Sequence, residues 1–302
     1  MFTFLKTKYP KRYYAEYWAL KMILQFFYRL GPIKASNWGG WLFRSLGPYL
    51  PLSKIADTNL KLAYPVSLKQ QRQSIIKGMW ENLGRNFGEF PHLSALRQNT
   101  PYGPGWEVTG EQTLIEQAKK GGAVIFISGH IGNWEMLPPA VAHYGLAFSS
   151  FYRAANNPLV DELIKSYRLK ALKTTIPLFA KGATGARKAL LHLARGGRLG
   201  MLMDQKMNDG IQATFFNHPA MTASAAAAMA LRFGCPLIPG YVERLGPARL
   251  RIVVAPPLSF QPTGDTPEDE HQLTQTINDL LEVWIRKAPQ NWLWLHKRWP
   301  LA

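Results

Sequence analysis

From Glu107 to Lys287 short apolar runs alternate with segments of helical period, and this alternation constrains the fold more than any other feature of the chain. Strand signals fall near Val108 and over residues 123–128, 146–153, 175–180, 199–203, 237–243 and 250–255. Helix signals occupy 111–120, 134–144, 159–173, 182–195, 222–233 and 268–287. A chain patterned in this way is expected to form an α/β fold, a central and mostly parallel sheet flanked by helices. The front half reads differently. Residues 67–90 carry Leu68, Ile75, Ile76, Met79, Leu83 and Phe87 near a helical period, 38–51 is rich in glycine, proline and aromatics, and 98–106 reads as a loop.

The chain has 302 residues, 47% of them hydrophobic, enough for a substantial core and incompatible with disorder throughout. Lysine and arginine number 36 against 19 acids, a formal charge of +17 that points to anionic partners: nucleic acid, phospholipid, phosphorylated substrates or an acidic protein. The single cysteine, Cys235, rules out an intramolecular disulfide and a cysteine-based metal cluster, and fits a reducing compartment. It stands between Phe233 and Leu237 and reads as core rather than nucleophile.

Basic residues crowd the front. Lys11, Arg12, Lys21, Arg29, Lys34 and Arg44 are interleaved with Tyr13, Tyr14, Tyr17, Trp18, Phe26, Phe27 and Tyr28, against one acid, Glu16. Aromatics at a head-group boundary and basic side chains reaching phosphates describe a membrane interface. Residues 1–45 are therefore expected to be an interfacial or marginally inserted anchor helix, and 46–302 a single α/β domain. An ordinary amphipathic helix packed on that domain is the alternative.

Several polar residues fall at predicted strand ends, where open α/β sheets place their ligands. His130 and Glu135 follow the run 123–126, in a turn permitted by Gly129 and Gly132; the imidazole is a candidate general base and Glu135 its nearest candidate orienter. Arg153 follows another strand signal, with a turn at Asn157-Pro158, and Asp204 follows a third. Lys181 and Arg187 flank a glycine-bearing helix start that either holds a phosphate or is a plain turn. Phe215 and Phe216 read as a loop exposing aromatic surface, which either lines an acyl channel or is half-buried packing. The C-terminal aromatic stretch is expected to pack on the sheet while turning Lys297 and Arg298 toward phosphate.

The segments Gly129-His-Ile-Gly-Asn-Trp-Glu135, Tyr152-Arg153 with Asn157-Pro158, Asp204-Gln-Lys-Met-Asn-Asp-Gly210, Pro219-Ala-Met-Thr222 and Trp292-Leu-Trp-Leu-His-Lys-Arg298 occur in one order. As an ordered set they resemble the lipid A biosynthesis late acyltransferases, lauroyl or myristoyl transferases of the HtrB/LpxL type within the lysophospholipid acyltransferase-like group. Some members carry a second acid two positions after the first Asp, where this chain has Lys206.

The resemblance implies transfer of a fatty acyl group from acyl carrier protein to a hydroxyl of a 3-hydroxyacyl chain on a phosphorylated, Kdo-bearing lipid A precursor. The implied location is the cytoplasmic face of the inner membrane, and no cofactor or metal is implied. His130, Glu135, Arg153 and Asp204 are the expected catalytic set: base, orienter, oxyanion or phosphate holder, and positioner of a cation or the acceptor. Asn133, Asn157, Lys181, Arg187, Lys297 and Arg298 are the expected substrate contacts. Two other readings remain open, a lysophospholipid acyltransferase and a non-catalytic basic protein that binds membrane or nucleic acid.

Overall fold

The structure is a computed structural model that describes residues 9–99, 102–180 and 182–299. Helices α1 (Lys11–Leu30) and α2 (Pro32–Leu46) are separated at Gly31, whose φ of 74° favours glycine, while Pro32 presets the first turn of α2. The stretch expected to be one anchor helix is thus two. A third helix, α3 (Leu52–Ala63), leads into α4 (Lys69–Glu89). The glycine-rich segment from Trp38 continues α2 as far as Leu46, and its small residues are what bring α2 against α4. A Cβ on Gly39 would collide with the carbonyl of Gly84, and one on Gly88 with the carbonyl of Ala35. Such backbone-to-backbone packing needs small residues on both helices.

Then follow β1 (Gly105–Thr109), α5 (Glu111–Lys120), β2 (Val124–Ser128), α6 (Leu137–His143), β3 (Ser149–Tyr152), α7 (Pro158–Leu172), β4 (Phe179–Ala180), α8 (Ala183–Ala194) and β5 (Arg198–Leu202). The remainder is β6 (Lys206–Phe215), β7 (His218–Thr222), α9 (Ala225–Phe233), β8 (Leu237–Gly246), β9 (Arg249–Val254) and α10 (Thr266–Lys287). Seven strands form one sheet in the order β1-β9-β8-β2-β5-β3-β4. Every neighbouring pair in it is parallel except β8 with β9. The expected α/β architecture is the observed one.

Central β2 is buried throughout, as a strand covered on both faces must be. Its Ile125 and Ile127 face a core shared with α3, α4, α8, α9 and α10, and its Val124 and Phe126 face one shared with α5, α6 and α7.

Phe215 and Phe216 depart from expectation. They close an antiparallel hairpin of β6 and β7 outside the main sheet, and both rings are buried, at 0% and 2% exposure. The turn places Phe216 at φ 51° and Asn217 at φ 60°, the left-handed pair that a two-residue hairpin requires and that glycine usually supplies. Trp299 donates to the Phe215 carbonyl at 3.1 Å and holds the turn from the C-terminal side.

At the front the picture is reversed. Trp18, Met22, Phe26, Trp38, Trp41 and Leu46 on α1 and α2 are each more than half exposed. No helix among the described residues is long and apolar enough to cross a membrane.

Candidate active site

Strands β2 and β5 lie side by side in parallel, with Val124 opposite Arg198 and Ser128 opposite Leu202. Continuing that register two residues past the strand ends sets His130 opposite Asp204. The backbone keeps to it, since the Met203 N–H donates to the Ser128 carbonyl at 2.8 Å. His130 Nδ1 stands 2.9 Å from Asp204 Oδ1, and the His130 backbone N–H donates to Oδ2 at 2.8 Å. The Trp292 indole N–H donates to the same Oδ2 at 2.7 Å.

Burial alone would raise the Asp204 carboxyl, but the facing imidazole and the donated bonds outweigh it and hold the acid well below the usual carboxylate range. An ionised Asp204 only accepts, so the proton of a neutral His130 sits on Nδ1 and the lone pair is left on Nε2. The imidazole keeps 17% of its surface exposed, whereas the Asp204 side chain keeps 2%. The result is an imidazole with a fixed tautomer at the carboxyl edge of a mostly parallel sheet.

The expected orienter does something else. Glu135 accepts two bonds from Arg168 of α7, at 2.8 Å from Nε and 2.5 Å from Nη2, so its carboxylate is committed to a guanidinium rather than to the imidazole. Burial would lower the Arg168 pKa, but Glu135 overrides it and keeps the guanidinium charged. Arg168 was not legible as a site residue, because within its helix it looks like one more surface cation.

The loop that carries His130 is held from behind. Gly132 adopts φ 60°, and a Cβ there would collide with the Val242 carbonyl. Its own carbonyl accepts from Asn82 at 3.0 Å and from Asn86 at 2.6 Å, and its N–H donates to the Asn291 carbonyl at 2.9 Å. The Leu293 N–H in turn donates to the His130 carbonyl at 3.1 Å. Next along α4, the wholly buried Glu89 accepts from Arg244 at 2.5 and 3.0 Å, from Ser36 at 2.6 Å and from Asn133 at 2.7 Å. Burial would raise this acid as well, and Arg244 overrides it. Asn82, Asn86 and Glu89 recur at the period of one helix face, a polar stripe in a helix that otherwise reads as apolar packing.

Other expected contacts fall in different places. Asn133, expected to contact substrate, is fully buried and donates to Glu89. Asn157 is also buried, because it caps α7 through the Leu159 N–H and donates to the Tyr13 carbonyl and to Glu16, tying α1 to the start of α7. Arg298 faces inward rather than toward phosphate. It donates to the Met221 carbonyl at 2.9 Å and to Thr222 Oγ1 at 2.8 Å, and burial lowers its pKa to about 10. Arg153, Arg187 and Lys297 are exposed and carry no side-chain partner among the described residues, and Lys181 lies outside them. Cys235 is buried in the core, where burial raises its thiol pKa.

A family model described as bacterial lipid A biosynthesis acyltransferase matches residues 4–300. The chain is 23% identical over 248 residues to the lipid A biosynthesis palmitoleoyltransferase of Escherichia coli (strain K12), covering 81% of this chain and 77% of that one. It is 24% identical over 254 residues to the lipid A biosynthesis lauroyltransferase of the same organism, covering 82% and 78%. With the match running over nearly its whole length, the chain belongs to the bacterial lipid A biosynthesis acyltransferase family.

Proposed function

We propose that the protein moves a fatty acyl group of lauroyl or myristoyl length from acyl carrier protein to a hydroxyl of a 3-hydroxyacyl chain on a phosphorylated, Kdo-bearing lipid A precursor. The observation that carries the mechanism is the pairing of His130 with a buried, ionised Asp204. Nε2 of His130 takes the proton of the acceptor hydroxyl as its oxygen attacks the thioester carbonyl. The tetrahedral intermediate collapses with cleavage of the carbon–sulfur bond. The imidazolium returns its proton to the departing thiolate, leaving an ester and a free carrier thiol. Asp204 stabilises the imidazolium between those two transfers, and no acyl-enzyme is required.

Glu135 enters as the partner that fixes Arg168 at the same loop, in place of the expected orienting role. Arg153, Lys181, Arg187 and Lys297 are proposed to meet the phosphates of the acceptor or the acidic carrier protein. The exposed aromatic and aliphatic side chains of α1 and α2 support peripheral attachment to the cytoplasmic face of the inner membrane. The partners are then the carrier, the glycolipid and the membrane surface, without nucleic acid.

The test is an acyl-transfer assay with purified protein, lauroyl and myristoyl carrier thioesters, and either the lipid A precursor or lysophosphatidic acid as acceptor, read by mass spectrometry. An ester on the lipid A precursor is expected. Transfer to the lysolipid alone would sink the proposal.

A further inference from the structure

Behind the His130 loop lies an open cleft of about 470 Å³, lined by Arg44 of α2, Ser74, Gly78, Glu81, Asn82 and Arg85 of α4, and Gln290-Asn291. We infer that this cleft is a phosphate-monoester site for the head group of the acceptor, apart from the catalytic pair; the identity of the acceptor rests on the function proposed above.

Three features support the assignment. First, the charge is unbalanced. Glu81 accepts from Arg44 at 2.8 Å and from Arg85 at 2.7 Å, so one carboxylate faces two guanidinium groups, while Arg244 at the back is neutralised by Glu89. Second, donors are left over. Nε and Nη2 of Arg44 and the side chains of Ser74 and Gln290 line the cleft without a protein partner among the described residues. Arginine forks of this kind match the geometry of phosphate oxygens.

Third, the shape is built in by glycine. A Cβ on Gly40 would run into Arg85, and one on Gly78 would run into Gln290, so both absences keep the walls as they are. Arg44 also stands one turn from the exposed Trp41 on α2, which sets the cleft beside an apolar face. A phosphate on a membrane lipid would meet that juxtaposition. The floor of the cleft is in turn joined to the catalytic loop, because Asn82 donates to the Gly132 carbonyl and Asn291 precedes the indole that binds Asp204.

Glucosamine 1-phosphate and inorganic phosphate are titrated into the full chain by calorimetry, alongside Arg44→Ala, Ser74→Asp and His130→Ala, with melting temperatures for each. The wild type and His130→Ala are expected to bind glucosamine 1-phosphate alike, and Arg44→Ala and Ser74→Asp to bind it about tenfold more weakly with unchanged melting. In the transfer assay the same two variants are expected to raise KM for the phosphorylated acceptor and to leave it unchanged for the dephosphorylated one. Equal binding by all four proteins, or inorganic phosphate binding tighter than the sugar phosphate, overturns the assignment. Loss of transfer with sugar-phosphate binding intact would break the acyltransferase reading and leave this site standing.

Discussion

Two buried ionic centres hold the same loop, and they differ in what they leave free. At Glu89 and Arg244, each carboxylate oxygen and each guanidinium nitrogen has a partner, and the acid has no exposed surface. At Asp204 and His130, the acid is similarly enclosed, but the imidazole retains exposed surface and an Nε2 without a hydrogen-bond partner among the described residues. A saturated centre can only position the chain around it, whereas one with a single open lone pair can exchange a proton with a substrate. That difference supports giving the proposed chemistry to His130 and Asp204 rather than to Glu89 and Arg244.

The comparison breaks first at His130. His130→Ala is expected to lower kcat by about 10²–10⁴-fold with the melting temperature little changed, since it removes the open member of the pair. Asp204→Asn should come close to this, because a neutral amide no longer fixes the tautomer or stabilises the imidazolium, as in the aspartate-to-asparagine change of a serine protease triad. Arg244→Ala should do the reverse. It leaves Glu89 charged and unpaired in the interior, at an expected cost of about 3–5 kcal/mol in denaturant unfolding. A variant that melted normally and lost only turnover would show that the Glu89 centre is not structural. Smaller again is Glu135→Gln, which keeps one acceptor for Arg168 and so should lower kcat by roughly tenfold, the scale of one weakened charge-assisted bond. Equality with His130→Ala would restore Glu135 as a direct partner of the imidazole.

Much of this was legible in the chain. The alternation after Glu107 foretold the sheet, and helix α5 was read with its observed bounds. His130 and Asp204 were each read at a strand end. That β2 and β5 are neighbours was not readable, because strand order depends on how crossover helices pack rather than on local pattern. Nearness in sequence points to Glu135, but Asp204 lies opposite in register and is the acid bonded to the imidazole. The hairpin turn at Phe216-Asn217 lacked the usual glycine signal and was read as a loop. The charge of Arg298 suggests an exposed side chain, yet the hairpin and α10 offer acceptors to both of its terminal nitrogens inside the fold. The α2–α4 contact is hidden for another reason: glycine adds nothing to an apolar period, yet here it lets two helix backbones meet.

The finest test uses acid. Asp204 and Glu89 both have carboxyls held below their ordinary range: the facing imidazole and donated hydrogen bonds outweigh burial at Asp204, and the Arg244 guanidinium outweighs it at Glu89. A lowered native pKa means that the unfolded chain binds protons first. The stability from each acid is therefore complete above its unfolded value, about 4, and is lost as pH falls through the lower native value. Unfolding free energy measured from pH 6 downward should stay level to about pH 4 and then decline. In Asp204→Asn the decline should be shallower, because one of the lowered acids no longer titrates. The Glu89 share should persist in that variant and keep the curve from becoming flat. An unchanged slope would mean that Asp204 is no better solvated as an anion in the fold than in the unfolded chain. In that case the His130 pairing could not be what keeps it ionised.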